Sequence, residues 1–157
     1  LMKKFNISLI ILLILNSNIS AKEISGFPNI TDGDTIKISN IRIRLHGIDA
    51  PETKQFCTRN FKEYSCGIDA TAALAKKIGR KKVVCKAQDK LDRYKRYISV
   101  CFVEKVNLNK WMVRNGYAIA YRRYSKDYVE DENYAKTKKL GLWSGSFIRP
   151  EKWRKLN

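Results

Sequence analysis

The stretch "TDGDTIKISNIRIRLHGIDAPETK", residues 31–54, decides the fold and concentrates the chemistry. Isoleucines and a leucine alternate with polar residues through it. Ile30, Ile36 and Ile38 share one parity, and Ile41, Ile43 and Leu45 share another. A period of two indicates strands with one buried face. Ser39-Asn40 is the tight turn expected between two of them. The same window holds Asp32, Asp34, Asp49 and Glu52, with Arg42 and Arg44 between the acidic clusters. Asp32-Gly33 is a strong turn signal, so Asp32 is expected to shape a turn rather than bind metal. The alternation after it projects Arg42, Arg44 and His46 to one face. Two adjacent strands thereby bring carboxylates to neighbouring ends beside an arginine.

That concentration of acids is unusual in this chain. Its 157 residues suffice for one domain, and they carry 32 Lys and Arg against 15 Asp and Glu, a formal charge of +17. Lys3 and Lys4 precede the apolar run Ile7 to Leu15, then polar residues and Ala21. This is the pattern of a secretory signal peptide, too short for the roughly 20 apolar residues of a membrane span. A mature chain beginning near Lys22 is expected, secreted or periplasmic, with no stable membrane association after cleavage. An uncleaved N-terminal anchor is the alternative. Without Lys3 and Lys4 the formal charge is still +15, enough to attract polyanions and speed their encounter. Nucleic acid and anionic surfaces both meet that description.

Of the four cysteines, Cys57, Cys66, Cys85 and Cys101, none forms a C-x-x-C pair, and His46 is the single histidine. A zinc knuckle is therefore disfavoured, and export favours disulfides. Three pairings are open from sequence. Cys57 and Cys66 bracket one polar loop. Cys85 and Cys101 lie in the strand-like runs VVCKA and ISVCFV, and a hairpin centred near Arg93 would set them face to face. The expected pairs are Cys57–Cys66 and Cys85–Cys101.

Further along, helices are expected at Ile68 to Ile78 with Gly79 as its stop, at "NLNKWMVRN" (107–115) with Gly116 beyond, and at about Asp131 to Leu140 before Gly141. The order of elements is three strands, a helix, a two-stranded hairpin, then two helices. This implies an α+β fold: a five-stranded OB-type β-barrel with about three packed α-helices. Phe147 to Asn157 reads as a basic, aromatic tail whose Trp153 and Arg154 pack on the barrel.

Carboxylates with backbone carbonyls suit a hard cation such as Ca²⁺, and a phosphodiester held there needs cationic donors for the charge that develops on its oxygens. An arginine fork holds two phosphate oxygens at once. "DGDT" (32–35), "RLHGIDAPET" (44–53), "DRYKR" (92–96) and "GLWSG" (141–145), in that order, resemble the thermonuclease (staphylococcal nuclease-like) family. The cysteine pattern and the basic, tryptophan-containing tail resemble its exported Gram-negative-type branch. The resemblance runs from about Ile30 to Trp143. It implies that Asp34 and Asp49 are Ca²⁺ ligands and that Ala50 supplies a carbonyl where the family often has threonine. It implies Glu52 as general base, Arg44 and Arg96 as the arginines on the scissile phosphate, and Arg93, Tyr94 and Tyr121 around a terminal phosphate and its base or sugar. Lys95 departs from the family, which usually has glycine there, at a position where glycine permits a backbone angle that lysine tolerates poorly.

The implied function is a Ca²⁺-dependent, monomeric endonuclease that cleaves DNA and RNA with little sequence preference and leaves 3′-phosphate ends. The competing readings are a non-catalytic OB-type module for single-stranded nucleic acid and a cationic protein acting at membrane or polysaccharide surfaces. His46 is expected to pack rather than to catalyse.

Overall fold

A computed structural model describes residues 22–157; the signal-like segment 1–21 lies outside the described residues. β1 (Lys22–Gly26) and β2 (Pro28–Asp32) are separated only by Phe27. β3 (Thr35–Ile38) and β4 (Ile41–Leu45) follow, then short β5 (Ile48–Asp49) and the hairpin β6 (Cys57–Arg59) and β7 (Lys62–Tyr64). α1 (Cys66–Ile78) leads to the long hairpin β8 (Val83–Leu91) and β9 (Tyr97–Val103), and then to β10 (Val106–Asn107). The remainder is α2 (Leu108–Arg114), β11 (Ile119–Ala120), α3 (Val129–Thr137), a 3₁₀ turn (Gly141–Ser144) and α4 (Pro150–Leu156).

The main sheet runs β1-β8-β9-β4-β3-β2, with β10 added beside β9. Its two edge strands are the halves of one bent segment: β1 pairs with β8 from Lys22 opposite Ala87, and β2 pairs with β3 from Pro28 opposite Ile38. The sheet therefore curls back on itself, and counting the bent segment once gives the expected five strands. β4 and β9 run parallel, with Arg44 opposite Ile98.

The alternation read from the sequence fixes which face is inside. Ile36, Ile38, Ile43 and Leu45 are buried, together with Leu74 and Ile78 of α1 and Leu108 and Met112 of α2. Each such side chain contributes about 1.5–3 kcal/mol of burial. Cys85 lies opposite Cys101 in the β8–β9 ladder, and the disulfides are Cys57–Cys66 and Cys85–Cys101.

Three elements differ most from the sequence reading. α1 starts at Cys66, two residues early, because the Cys57–Cys66 bridge and the bond from the Gly67 N–H to the Gln55 carbonyl (3.3 Å) tie its first turn to the preceding loop. α3 covers Val129–Thr137, with Glu130, Asp131 and Glu132 in the first turn where they complement the helix dipole. The tail forms a fourth helix, α4, with Pro150 at its start. Among the described residues no helix is long and apolar enough to cross a membrane.

Candidate active site

The turn from β2 to β3 carries the first two acids. Asp32 Oδ1 accepts the N–H of Asp34 at 3.0 Å, an Asx-type turn, so Asp32 shapes the chain as expected. Gly33 is required by close approach: a Cβ there would lie 2.7 Å from the Ala50 Cβ and 2.9 Å from the Ala70 Cβ. The turn thus lies flat on α1 and on the second acidic motif. Asp34 fastens the two motifs together, its Oδ2 accepting the Ala50 N–H at 2.7 Å and its Oδ1 accepting the Thr35 hydroxyl at 3.2 Å.

Arg44, from the middle of the sheet, reaches Asp34 Oδ1 at 3.0 Å and Asp49 Oδ1 at 3.3 Å. Asp49 is fully buried, and its backbone is held by pairing with Ile119 of β11. Burial pushes its carboxyl up to about 6; the Asp34 charge adds to this, while Arg154 and Arg44 oppose it. Asp32 is likewise raised to about 6, first by burial and then by Asp34.

Glu52 follows on a loop fixed from behind. A Cβ on Gly67 would fall 1.8 Å from the Glu52 carbonyl oxygen, so the first turn of α1 sits directly against that backbone. Gln55, fully buried, accepts the Glu52 N–H through its Oε1 at 3.3 Å and donates from Nε2 to the Ile148 carbonyl at 2.6 Å. The Glu52 side chain itself is 35% exposed. A carboxylate that is accessible on a fixed backbone is the arrangement a general base needs.

Arg96 approaches from the β8–β9 turn. Its Nε donates to Asp92 Oδ2 at 2.8 Å and its Nη1 to Thr35 Oγ1 at 3.4 Å, next to Asp34. Lys95 holds a left-handed φ of 60°, the angle for which glycine is suited. Arg93 and Tyr94 project from the same turn, paired with one another at 2.6 Å and exposed. Tyr121 lies on the other side, edge-on to Tyr124. It lines a cleft of about 250 Å³ that includes Asp49, Arg122, Arg123, Arg149 and Lys152. Arg42 points away to the Tyr94 carbonyl at 3.5 Å. His46 is half-buried, and burial together with Arg44 lowers its pKa although Asp127 raises it. Its carbonyl accepts a bond from Asn109.

Three site-shaping residues escape sequence reasoning. Arg154 of α4 donates from Nη1 to Asp49 Oδ1 and to Glu52 Oε1, each at 2.9 Å, and from Nη2 to Asp49 Oδ2 at 3.2 Å. Pro150 followed by Glu151 is a legible helix-start signal, but no local spacing links residue 154 to residue 49. Gln55 and the fully buried Asn109 have no motif. Asn109 ties Ser99, Cys101 and the His46 carbonyl together, fastening β9 to the end of β4.

Among the described residues no three His, Cys, Asp or Glu side chains converge on one point. Asp34 and Asp49 nevertheless fit a hard divalent cation: they are buried oxygen donors that one guanidinium brings together. A cation of this kind takes six to eight oxygens, so carbonyls, water and phosphate would complete the shell.

The family model described as staphylococcal nuclease homologue matches residues 42–145. An uncharacterized endonuclease of Haemophilus influenzae is 32% identical over 155 residues, 94% of this chain and 82% of that protein. The micrococcal nuclease of Shigella flexneri is 35% identical over 144 residues, 80% of this chain and 77% of its own. A succinoglycan biosynthesis protein of Rhizobium meliloti is 30% identical over 128 residues, 79% of this chain and 66% of its own. The barrel, the acids and arginines gathered at its strand ends, and these matches agree: the chain belongs to the staphylococcal nuclease homologue family.

Proposed function

We propose that the protein is an exported, Ca²⁺-dependent endonuclease that hydrolyses DNA and RNA with little sequence preference and leaves 3′-phosphate ends. The observation that carries this reading is the bridge made by Arg44 between two buried aspartates, with Glu52 three residues beyond the second. A module that only binds nucleic acid has no use for carboxylates buried beside phosphate-binding arginines.

Asp34, Asp49 and the carbonyl of Ala50 would hold Ca²⁺, which offsets phosphate charge and lowers the cost of deprotonating water. Glu52 accepts the proton of the attacking water. Arg44 and Arg96 hold the non-bridging oxygens and stabilise charge as the water oxygen bonds to phosphorus and the bond to the 5′ oxygen breaks. The cationic cleft beside Asp49 takes the flanking strand, with Tyr121 against a base or sugar and Arg93 and Tyr94 near a terminal phosphate. Two disulfides suit an oxidising compartment, secreted or periplasmic, and the protein acts as a monomer.

Purified protein incubated with plasmid and with single-stranded RNA tests the reading. Cleavage of both is expected with Ca²⁺, little with Mg²⁺ because its octahedral shell is tighter, and none with chelator. Equal cleavage in chelator refutes the cation site. Binding without cleavage in every buffer favours the single-strand-binding module.

A further inference from the structure

We propose that Arg154 is a built-in counter-cation that occupies Asp49 and Glu52 until a divalent cation takes Asp49, making α4 a tethered gate on the site. The inference rests on the cation reading of Asp34 and Asp49 given above.

The geometry makes the two occupants exclusive. Arg154 engages both oxygens of Asp49, at 2.9 and 3.2 Å, and Oδ1 already lies 3.3 Å from Arg44. A Ca²⁺ ligand oxygen lies about 2.3–2.6 Å from the ion, so a bound ion would sit against the guanidinium and repel it. The same Nη1 lies 2.9 Å from Glu52 Oε1, where it competes with water for the lone pair a general base must offer. Charges alternate along the chain Asp34, Arg44, Asp49, Arg154 and Glu52. Two guanidiniums thereby offset most of the charge of three carboxylates, and loading the site with a cation means breaking the last links.

The attachment of α4 suits release. Trp153 is half-buried and Pro150 is buried, but Ile148 and Leu156 are exposed. Its other ties are polar: Arg123 to Glu151 at 3.4 Å, Arg149 to the buried Glu132 at 3.8 Å, and Gln55 to the Ile148 carbonyl. Salt and polyanions weaken the two ion pairs among these contacts. Arg154 itself is 34% exposed and has solvent to swing into.

Because the coupling is reciprocal, removing the guanidinium strengthens cation binding. Calorimetric titration of Ca²⁺ into the full chain, its Arg154→Ala and Arg154→Lys variants, and a Lys155→Ala control reads this without any catalysis. Lys155 lies on the same helix but pairs with Glu151. Arg154→Ala is expected to bind Ca²⁺ about tenfold more tightly, within the usual range of coupling between sites. Arg154→Lys should fall between, because one ammonium cannot span both carboxylates. The control should stay within about twofold of wild type. Melting curves establish folding, and if Arg154→Ala is unfolded the lysine variant carries the comparison. Equal or weaker Ca²⁺ affinity in the folded variants overturns the gate while leaving the cation site standing. No Ca²⁺ binding by any of the proteins overturns the cation reading and the gate together.

Discussion

Arg44 and Arg96 are both proposed to hold the scissile phosphate, yet they stand on different supports. Arg44 belongs to β4, a strand flanked on both sides by paired neighbours, and it touches two carboxylates that arrive from separate parts of the chain. Arg96 belongs to a turn. Its one ion pair is with Asp92, four residues earlier, next to a left-handed Lys95 and a register shift between Ala87 and Leu91. Paired strands on both sides position one guanidinium; a turn positions the other, with one 3.4 Å bond to Thr35 as its tie to the sheet. The stability of the fold and the chemistry of the site should therefore be coupled at Arg44 and separable at Arg96.

The largest effects test that contrast. Arg44→Ala should lower the cleavage rate about 10²–10³-fold, as removal of a charge-stabilising donor does. It should also destabilise the fold by about 3–5 kcal/mol, because it strips a partner from buried Asp34 and Asp49. Arg96→Ala should cost a similar factor in rate with a small change in melting. Equal destabilisation by both variants would break the comparison. Glu52→Gln should reduce cleavage by about 10² or more with melting near wild type and DNA affinity unchanged or slightly higher, since it removes a negative charge near phosphate. His46→Ala should move neither rate nor affinity, given that its carbonyl makes the structural bond to Asn109.

The disulfides divide along the same line. Cys85–Cys101 clamps the hairpin that carries the Arg96 turn, across 16 residues, and should be worth about 3 kcal/mol. Cys57–Cys66 closes only 9 residues and should be worth about 2.5 kcal/mol, but it fastens the start of α1, where Gly67 abuts Glu52. Paired Cys→Ser variants compared by denaturant melting and single-turnover rates should show the first bridge mattering more for stability and the second more for rate.

How far the sequence reveals this molecule depends on the range of the interaction. Ile36, Ile38, Ile43 and Leu45 were legible because a half-buried strand writes its geometry into a two-residue period. The Cys85–Cys101 pair was legible because a hairpin sets its own register. The β1 half of the bent strand carries one buried apolar residue, Ile24, too little for a period. The Asp34 to Ala50 bond and the Gly33 contacts explain why the two acidic motifs meet, and neither motif contains that information alone. Arg154 lies 105 residues from Asp49, and only the folded chain brings them together.

Asp92 gives a pH test of the local support. Burial alone would raise its carboxyl, but hydrogen bonds from the Arg96 backbone and side chain prevail and hold it below the ordinary carboxylate value of 3.8. A depressed folded pKa contributes stability that is present above 3.8 and lost as pH falls through the folded value. Wild type should therefore lose about 1 kcal/mol, the worth of such a bond, in acid below pH 4. Asp92→Asn should show this loss at neutral pH already and lack that part of the acid dependence in urea melts.

The smallest effect is expected at Lys95 and bears most directly on the contrast. Its φ of 60° costs a non-glycine residue about 1–2 kcal/mol, whereas glycine adopts the angle freely but loses about 0.5–1 kcal/mol more chain entropy on folding. Lys95→Gly should therefore stabilise the protein by only about 0.5 kcal/mol. Kinetics separate the two roles open to this exposed side chain. If Lys95 only strains the turn, the glycine variant places Arg96 better and raises kcat with KM unchanged. If the ammonium also contacts phosphate, KM rises and its dependence on salt becomes shallower, because one fewer counterion is released on binding. A variant less stable than wild type and unchanged in both constants would show that the β8–β9 turn carries no strain worth relieving, and that Arg96 is held as firmly as Arg44.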